Sequence, residues 1–454
     1  MDISEIVARQ REYFNSGATR PLSFRLDALR SLKKALGENG TLIGEALMSD
    51  LRKSSFETYI SETGLVLEEI GHHLKRLPRW IKNKRVPTPL SQFHAKSHLA
   101  PEPYGVALIV SPWNYPLQLC LQPLVGAISA GNCAVIKPSA YTPATSRAIA
   151  KLLADVFPAE YVAVVEGGRE QNKALLEERF DYIFFTGSVE VGRAVMAAAA
   201  KHLTPVTLEL GGKSPVIVDE TADIPLSARR IAFGKVLNAG QTCVAPDYLF
   251  VHESVKDAFI AAYAAALHEF FPNGNMENLT GIVNEKHFNR LLNLIRDEKI
   301  AVGGGYDAAA LRIGPALLVD IAPDSPVMRE EIFGPLLPLM TYARLDECVE
   351  FIRARPKPLA LYLFTSNRDM PERVLGACSS GGCCINDTIV HLATPHMGFG
   401  GVGESGMGSY HGKSSFDTFT HYRNVMARST WIDLPLRYHP YTERTLNTIK
   451  KLVK

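Results

Sequence analysis

Apolar positions recur at helical spacing through the first 80 residues, most clearly over 27–48 and 59–81, and predict an N-terminal helical layer. Residues 88–99 then alternate apolar and polar side chains (Leu90, Gln92, Phe93, Lys96, Leu99), the pattern of an exposed β-ribbon. From Tyr104 the rhythm changes. Short apolar runs at 106–110, 133–136, 162–165, 182–185 and 206–210 alternate with helical stretches at 117–129, 143–156, 172–178 and 189–200. Strands alternating with helices predict a parallel, doubly wound α/β sheet. Ligands of such sheets bind beyond the carboxyl ends of the strands, so chemistry is expected in the loops at 111–116, 137–141, 166–169, 186–192 and 211–213. A second alternating region follows, with strands expected at 215–218, 248–251, 317–319, 336–341, 360–364 and 383–386. The stretch 416–427 is again strand-like, and its natural partner is the 88–99 ribbon, in a small sheet apart from both lobes.

One segment needs testing against the bilayer. Residues 105–136 carry no charged side chain, and a membrane span needs about 20 apolar residues. Pro112, Pro116 and Pro123, with Asn114, Gln118, Gln122 and Asn132, interrupt it, so a buried strand, a loop and a buried helix are expected instead. The end of the chain, TIKKLVK, is basic and carries no hydrophobic tail, which argues against a stable membrane anchor.

Composition narrows the partners. The chain has 454 residues, 49 Lys+Arg against 47 Asp+Glu, and a formal net charge of +2. That near-cancellation, with no dense basic run, argues against nucleic acid. At roughly 150 residues per domain, the length suggests about three lobes. The seven cysteines, 120, 133, 243, 348, 378, 383 and 384, are odd in number and contain no C-x-x-C pair. A zinc cage or a secreted disulfide framework is therefore not expected. The opening MDISEIVARQREYF is a charged helical pattern rather than a signal peptide, and a cytoplasmic location fits best.

Several motifs could carry chemistry. Phe185-Thr186-Gly187-Ser188 closes one strand and opens a helix, with Gly192 four residues on, as at a phosphate site; ordinary strand-to-helix turns share the pattern. Gly211-Gly212-Lys213-Ser214 invites a P-loop reading, but Thr207 stands where the first glycine of that motif belongs. Glu209 ends an apolar run, where a carboxylate is costly unless it is salt-bridged or serves as a general base. Cys243 differs from the other cysteines because Gly240, Gln241 and Thr242 surround it, and a nucleophilic thiolate needs backbone donors and partial access. Asn114, in the rigid Ser111–Pro116 loop, could donate to an oxyanion or simply shape a turn. Glu331 and Phe333, in Glu330-Glu331-Ile332-Phe333-Gly334-Pro335, could hold a ribose hydroxyl and pack beneath it, or only precede a strand. His391 and His396 sit in a glycine-rich loop reaching Gly408 without ligand-spaced companions, so a packing or lid loop is expected there and no metal.

Taken together the motifs resemble the NAD(P)-dependent aldehyde dehydrogenase superfamily over nearly the whole chain. The matching stretches, in order, are Pro112-Trp113-Asn114-Tyr115-Pro116, Lys137-Pro138-Ser139, Phe185-Thr186-Gly187-Ser188, Leu208-Glu209-Leu210-Gly211-Gly212-Lys213, Gly240-Gln241-Thr242-Cys243 and Glu331-Ile332-Phe333-Gly334-Pro335. The class 3 branch is resembled most, through Gly400-Gly401-Val402-Gly403-Glu404-Ser405-Gly406-Met407-Gly408, Tyr410-His411-Gly412-Lys413 and Cys243-Val244-Ala245-Pro246-Asp247-Tyr248. The resemblance implies a Rossmann-type parallel-sheet cofactor domain at 1–84 and 102–208, an α/β catalytic domain at 209–412, and a β oligomerisation arm with the tail at 85–101 and 413–454. It implies Cys243 as nucleophile, Asn114 and the Cys243 N–H as oxyanion donors, and Glu209 as the base that activates water. Aldehydes, expected to be apolar aliphatic or aromatic ones, would become carboxylic acids through a thiohemiacetal and a thioester. Cofactor contacts map to Lys137 for the adenosine ribose, Gly187 and Ser188 for the pyrophosphate, and Glu331 and Phe333 for the nicotinamide end, with Trp113, Ser139, Thr186 and Gly211 also at the cofactor. A homodimer is expected.

One departure bears on the cofactor. Many relatives carry Glu where this chain has Ala140, and that Glu binds the ribose hydroxyls and repels a 2′-phosphate. Ala140 predicts that NADP is tolerated beside NAD. Two alternatives stand: an acylating relative, in which CoA or phosphate replaces water, and a non-enzymatic structural protein on the same fold. The presence of Glu209 speaks against the first, and Cys243, Asn114 and Glu209 together against the second.

Overall fold

The structure, a computed structural model, describes residues 2–433 and 435–452. Met1, Leu434, Val453 and Lys454 lie outside the described residues, and with them the last two positions of the basic end.

The doubly wound sheet forms where the apolar runs place it. Strands Val106–Val110, Cys133–Lys137, Val162–Val164, Tyr182–Thr186 and Val206–Glu209 pair in parallel, in the spatial order 206–209, 182–186, 106–110, 133–137, 162–164. Their side chains are buried on both faces, as a continuous apolar run requires when helices cover each side. The order reverses between Val106–Val110 and Tyr182–Thr186. Loops leaving those two neighbours diverge to opposite faces and open a crevice. The uncharged segment resolves as expected into the strand Val106–Val110, a loop, the buried helix Gln118–Ala130 and the strand Cys133–Lys137. Among the described residues no helix is long and apolar enough to cross a membrane.

The second lobe holds a seven-stranded sheet, in the order Lys299–Gly303, Ala316–Val319, Leu336–Tyr342, Tyr248–His252, Pro215–Val218, Ala360–Phe364, Gly382–Ile385. All neighbours are parallel except the edge strand Lys299–Gly303, which is antiparallel to Ala316–Val319. That edge strand went unforeseen because its residues are largely exposed and show no alternation.

Four expectations need correction. The helical stretch 27–48 is two helices, Leu22–Glu38 and Gly40–Leu51, because Asn39 leaves helical geometry between them. The stretch 59–81 begins as a π-turn, Tyr59–Thr63, and continues as the helix Gly64–Trp80. The segment 416–427 is not strand throughout: Lys413–Thr418 is a short helix, and the strand is Thr420–Arg428. Likewise only part of the 88–99 ribbon is strand, since Leu90–Gln92 forms a 3-10 turn before the strand Ala95–Pro103. The expected partnership does form. Thr420–Arg428 pairs antiparallel with Ala95–Pro103 over nine residues, and Lys84–Val86 adds a third strand.

The glycine-rich loop returns to the first sheet. Gly406–Met407 lies antiparallel to Leu208 and Glu209 as a sixth strand. Asn132 fastens the small sheet to the large one: its Oδ1 accepts from Gly105 N at 2.9 Å and its Nδ2 donates to Phe419 O at 2.9 Å. The residue is buried, so Asn132→Ala leaves two backbone groups without partners. A loss of about 2 kcal/mol or more is expected, read as a lowered denaturant midpoint at unchanged m-value.

Candidate active site

A cavity of about 380 Å³ opens at the reversal in strand order, between the two lobes. Ten of the twelve residues singled out from the sequence line it: Trp113, Asn114, Thr186, Gly187, Ser188, Glu209, Gly211, Cys243, Glu331 and Phe333. Lys137 and Ser139 are not in its wall, because their strand lies one position further from the reversal. Lys137 is buried and donates to its neighbour Pro138 O at 2.7 Å, while Ser139 Oγ accepts from Tyr141 N at 3.2 Å.

Cys243 follows the helix Ile224–Val236 and a tight turn, Leu237–Gly240. Asn238 and Ala239 take left-handed φ of 53° and 51°, and Gly240 follows at 70°. A side chain at 240 could not be accommodated, since its Cβ would stand 2.3 Å from Gly334 O. The turn is held from all sides. Gln241 Nε2 donates to Asn238 O and Gly281 O, both at 3.0 Å, and its Oε1 accepts from Val283 N at 3.1 Å. Burial pushes the Cys243 thiol up, as do the nearby carboxyls of Glu331 and Glu209, whereas the backbone N–H groups of Cys243 and Val244 pull it down.

Asn114 is carried to this turn by the Ser111–Pro116 loop and is 2% exposed. Its Nδ2 donates to Gln241 O at 3.0 Å, which sets the orientation of the amide and leaves its second N–H free of that bond. Its own carbonyl accepts from Asn238 Nδ2 at 2.9 Å. The amide is thus a held donor rather than only a turn former.

Glu209 is the last residue of its strand and is 2% exposed. Neither carboxylate oxygen has a hydrogen-bond partner, and no ion pair forms among the described residues, so a salt bridge does not account for it. Burial holds its carboxyl well above the usual range. Its backbone is pinned on both sides: Gly187 N donates to its carbonyl at 3.0 Å, and the following Leu210 N donates to Ser405 O at 3.1 Å.

On the opposite wall, Glu331 Oε1 and Thr186 Oγ1 are buried polar atoms without partners, which is where the hydroxyl groups of a bound ligand would be satisfied. Gly211 makes room for Glu331, as a Cβ there would lie 2.1 Å from its Oε2. Burial, then the charge of Asp247, pushes the Glu331 carboxyl up to about 8. Trp113 stands edge-on to Phe333 at 5.2 Å. Ser188 caps the helix Val189–Ala200, accepting from Val191 N at 3.4 Å, and turns that helix N-terminus toward the cavity. These are the requirements of a dinucleotide, and the residues fit one. Lys213 is engaged within the protein: it pairs with Asp247 and donates to Val327 O at 2.9 Å and Glu330 O at 2.8 Å, bracing the loop that carries Glu331.

A second chamber of about 170 Å³ reaches Cys243 from the other side. Its wall is mainly apolar, from Ile60, Leu65, Leu119, Phe233 and Phe399 among others. Cys243 therefore lines both the larger cavity and the smaller apolar chamber. The sequence motifs did not point to Leu119, Phe399 and Tyr410, shared by both chambers, or to His287 and Arg290 in the larger one. Leu119 carries no signal beyond its apolar character, and Tyr410 stands beside the glycine-rich stretch 398–408.

Residues 1–425 match the Aldehyde dehydrogenase family. The 4,4'-diaponeurosporen-aldehyde dehydrogenase of Staphylococcus aureus is 49% identical over 435 residues, 95% of each chain. The mouse "aldehyde dehydrogenase, dimeric NADP-preferring" is 45% identical over 430 residues, 94% of this chain and 95% of its own. A solved structure of Staphylococcus aureus AldH in a substrate-bound state superposes with a TM-score of 0.97 at 48% identity, covering 100% of both chains. The chain belongs to the aldehyde dehydrogenase family, and within it resembles class 3 members. Its activity is the oxidation of aldehydes with NAD or NADP.

The neutral carboxyl of Glu331 has a consequence for stability. Unfolded, Glu loses its proton near pH 4.3; folded, this one keeps it to about 8. The folded state thus binds more protons between those values, and stability falls as pH rises through that window. Glu331→Gln should flatten the decline, measured by urea unfolding at pH 5 and pH 8 without cofactor.

Proposed function

We propose that Cys243 is the nucleophile, Asn114 with the Cys243 N–H the oxyanion site, and Glu209 the base. The observation that carries this is a carboxylate buried with no partner in the same cavity as a thiol and a held amide donor. The Cys243 sulfur attacks the aldehyde carbon as the thiolate, its proton already lost to solvent, and the developing oxygen charge falls on the Asn114 amide and the Cys243 amide, in a space where water competes poorly. When bound, oxidised NAD or NADP supplies a positive ring beside these groups and accepts the hydride. Glu209 takes a proton from water, the water oxygen adds to the thioester carbon, and the C–S bond breaks to release the acid and return Cys243 as thiolate. Because Glu209 and Cys243 are both pushed toward their neutral forms, the rate should rise with pH.

Glu331, Phe333, Trp113, Thr186, Gly187, Ser188 and Gly211 form the cofactor wall in this reading. Lys137 and Ser139 take the adenosine end, beyond the cavity. Ala140 is exposed and leaves no carboxylate to repel a 2′-phosphate, so both cofactors serve. The apolar funnel favours aliphatic or aromatic aldehydes. The two parallel-sheet lobes are read as cofactor and catalytic domains. The three-stranded sheet serves as the dimer arm, for which the unpaired side of Thr420–Arg428 is suited. A cytoplasmic location accords with seven free cysteines.

Glu209→Gln should release one equivalent of reduced cofactor and then stall, with steady turnover about a hundredfold or more below wild type. Turnover near wild type would remove Glu209 from hydrolysis, and Cys243→Ser should abolish the burst itself. Comparing kcat/KM for NAD and NADP tests the Ala140 argument: a preference for NAD beyond about a thousandfold, some 4 kcal/mol, refutes it. Light scattering at micromolar concentration should show a dimer.

A further inference from the structure

Beneath the Asn114 loop lies an ion pair with no solvent contact. Lys53 and Glu62 are each 0% exposed and meet at 2.6 Å. A buried pair is a poor device for stability, because desolvation cancels most of the attraction, so its placement calls for another reason. Each partner is also bonded to the segment that carries Asn114. Lys53 Nζ donates to Asn114 O at 3.3 Å and stands 4.5 Å from the centre of the Tyr115 ring. The Tyr115 hydroxyl in turn meets Thr242 Oγ1 at 2.6 Å, one residue before Cys243. Glu62 Oε2 accepts from Leu117 N at 2.9 Å and Gln118 N at 3.2 Å, where the loop turns into the buried helix. Glu62 belongs to the π-turn Tyr59–Thr63, a wider turn than its α-helical neighbours, and such turns recur at functional sites.

We infer that Lys53 and Glu62 are positioning residues that hold the oxyanion-binding amide of Asn114 in register with Cys243. The pair touches neither substrate nor cofactor space; it acts through the backbone on both sides of Asn114. The inference rests on the role proposed above for Asn114, and it adds that this role fails when the loop is free to shift. A displacement of about 1 Å at such a donor can cost on the order of a hundredfold in rate.

The test is a coupling experiment on the full-length enzyme. Lys53→Met alone strands a buried carboxylate, so it is paired with Lys53→Met/Glu62→Gln, which removes both charges, preserves volume and keeps an acceptor for the Leu117 and Gln118 amides. The double variant should lose about a hundredfold in kcat and in burst rate, with KM for aldehyde and cofactor close to wild type. Adding Asn114→Ala to it should cost little more, whereas Asn114→Ala in the wild type should cost about a hundredfold or more. Full multiplication of the two losses, or a wild-type rate in the double variant, overturns the positioning role while leaving that of Asn114 intact. A wild-type rate for Asn114→Ala alone overturns the oxyanion reading instead. Failure of both Lys53 variants to fold would make the pair a stability element and would also refute the inference.

Discussion

The cavity depends on one constraint: a short left-handed run of backbone must be held where neither Asn238 nor Ala239 prefers to be. Two non-glycine residues in succession at positive φ cost of order 1–3 kcal/mol each. Their neighbours supply the compensation. Glu57 accepts from Asn238 N and, through its other oxygen, from Thr280 Oγ1 at 3.0 Å. The Asn238 amide donates to both Asn114 O and Gln241 O. Gln241 O, one of the two carbonyls that relieve the turn, also orients the Asn114 amide. Strain in one loop and aim in the other are therefore a single arrangement.

Around that arrangement the electrostatics are sparse by design. Glu209, Glu331 and Cys243 share a cavity, and burial drives all three toward neutrality. Nearby cations are already committed. Lys213 braces the Glu331 loop through Asp247, and Arg290 pairs with Glu330 at 2.8 Å and donates to Ile332 O. The fixed dipoles that remain are backbone N–H groups, the Asn114 amide and the helix behind Ser188. These do not need to reorganise when charge moves, which is what makes them effective in a dry site.

Much of this was legible in the chain because the parallel strands are apolar on both faces and their loops carry unusual residues. The strand runs of both lobes and the pairing of the tail with the ribbon follow from local pattern, whereas Cys243, Asn114 and Glu209 are singled out together only through the family resemblance, and the structure brings the three into one cavity. What escaped has a common physical cause. The edge strand Lys299–Gly303 is exposed, so no periodicity marks it. Gly406–Met407 is a strand only because Glu209 offers it a partner. Lys53, Glu57 and Glu62 sit in a helical region where charged residues normally face water, and their burial is decided by loops far along the chain. Whether Glu209 was salt-bridged or orphaned could be settled only by knowing what packs against it.

The short strand Gly406–Met407 has one more implication, for how the enzyme comes into being. Glu209 is flanked on one side by Thr186, laid down shortly before it in synthesis, and on the other by Gly406, made about 200 residues later. A nascent chain emerging from the ribosome would hold its cysteine, its amide and its carboxylate long before the wall that shuts water away from that carboxylate exists. Such a non-local closure is slow to form. A chain clipped ahead of residue 406 would retain Cys243, Asn114 and Glu209 and still lack the strand that flanks Glu209. The pairing of Gly406–Met407 with Leu208 and Glu209 thus makes one wall of the cavity a late product of synthesis.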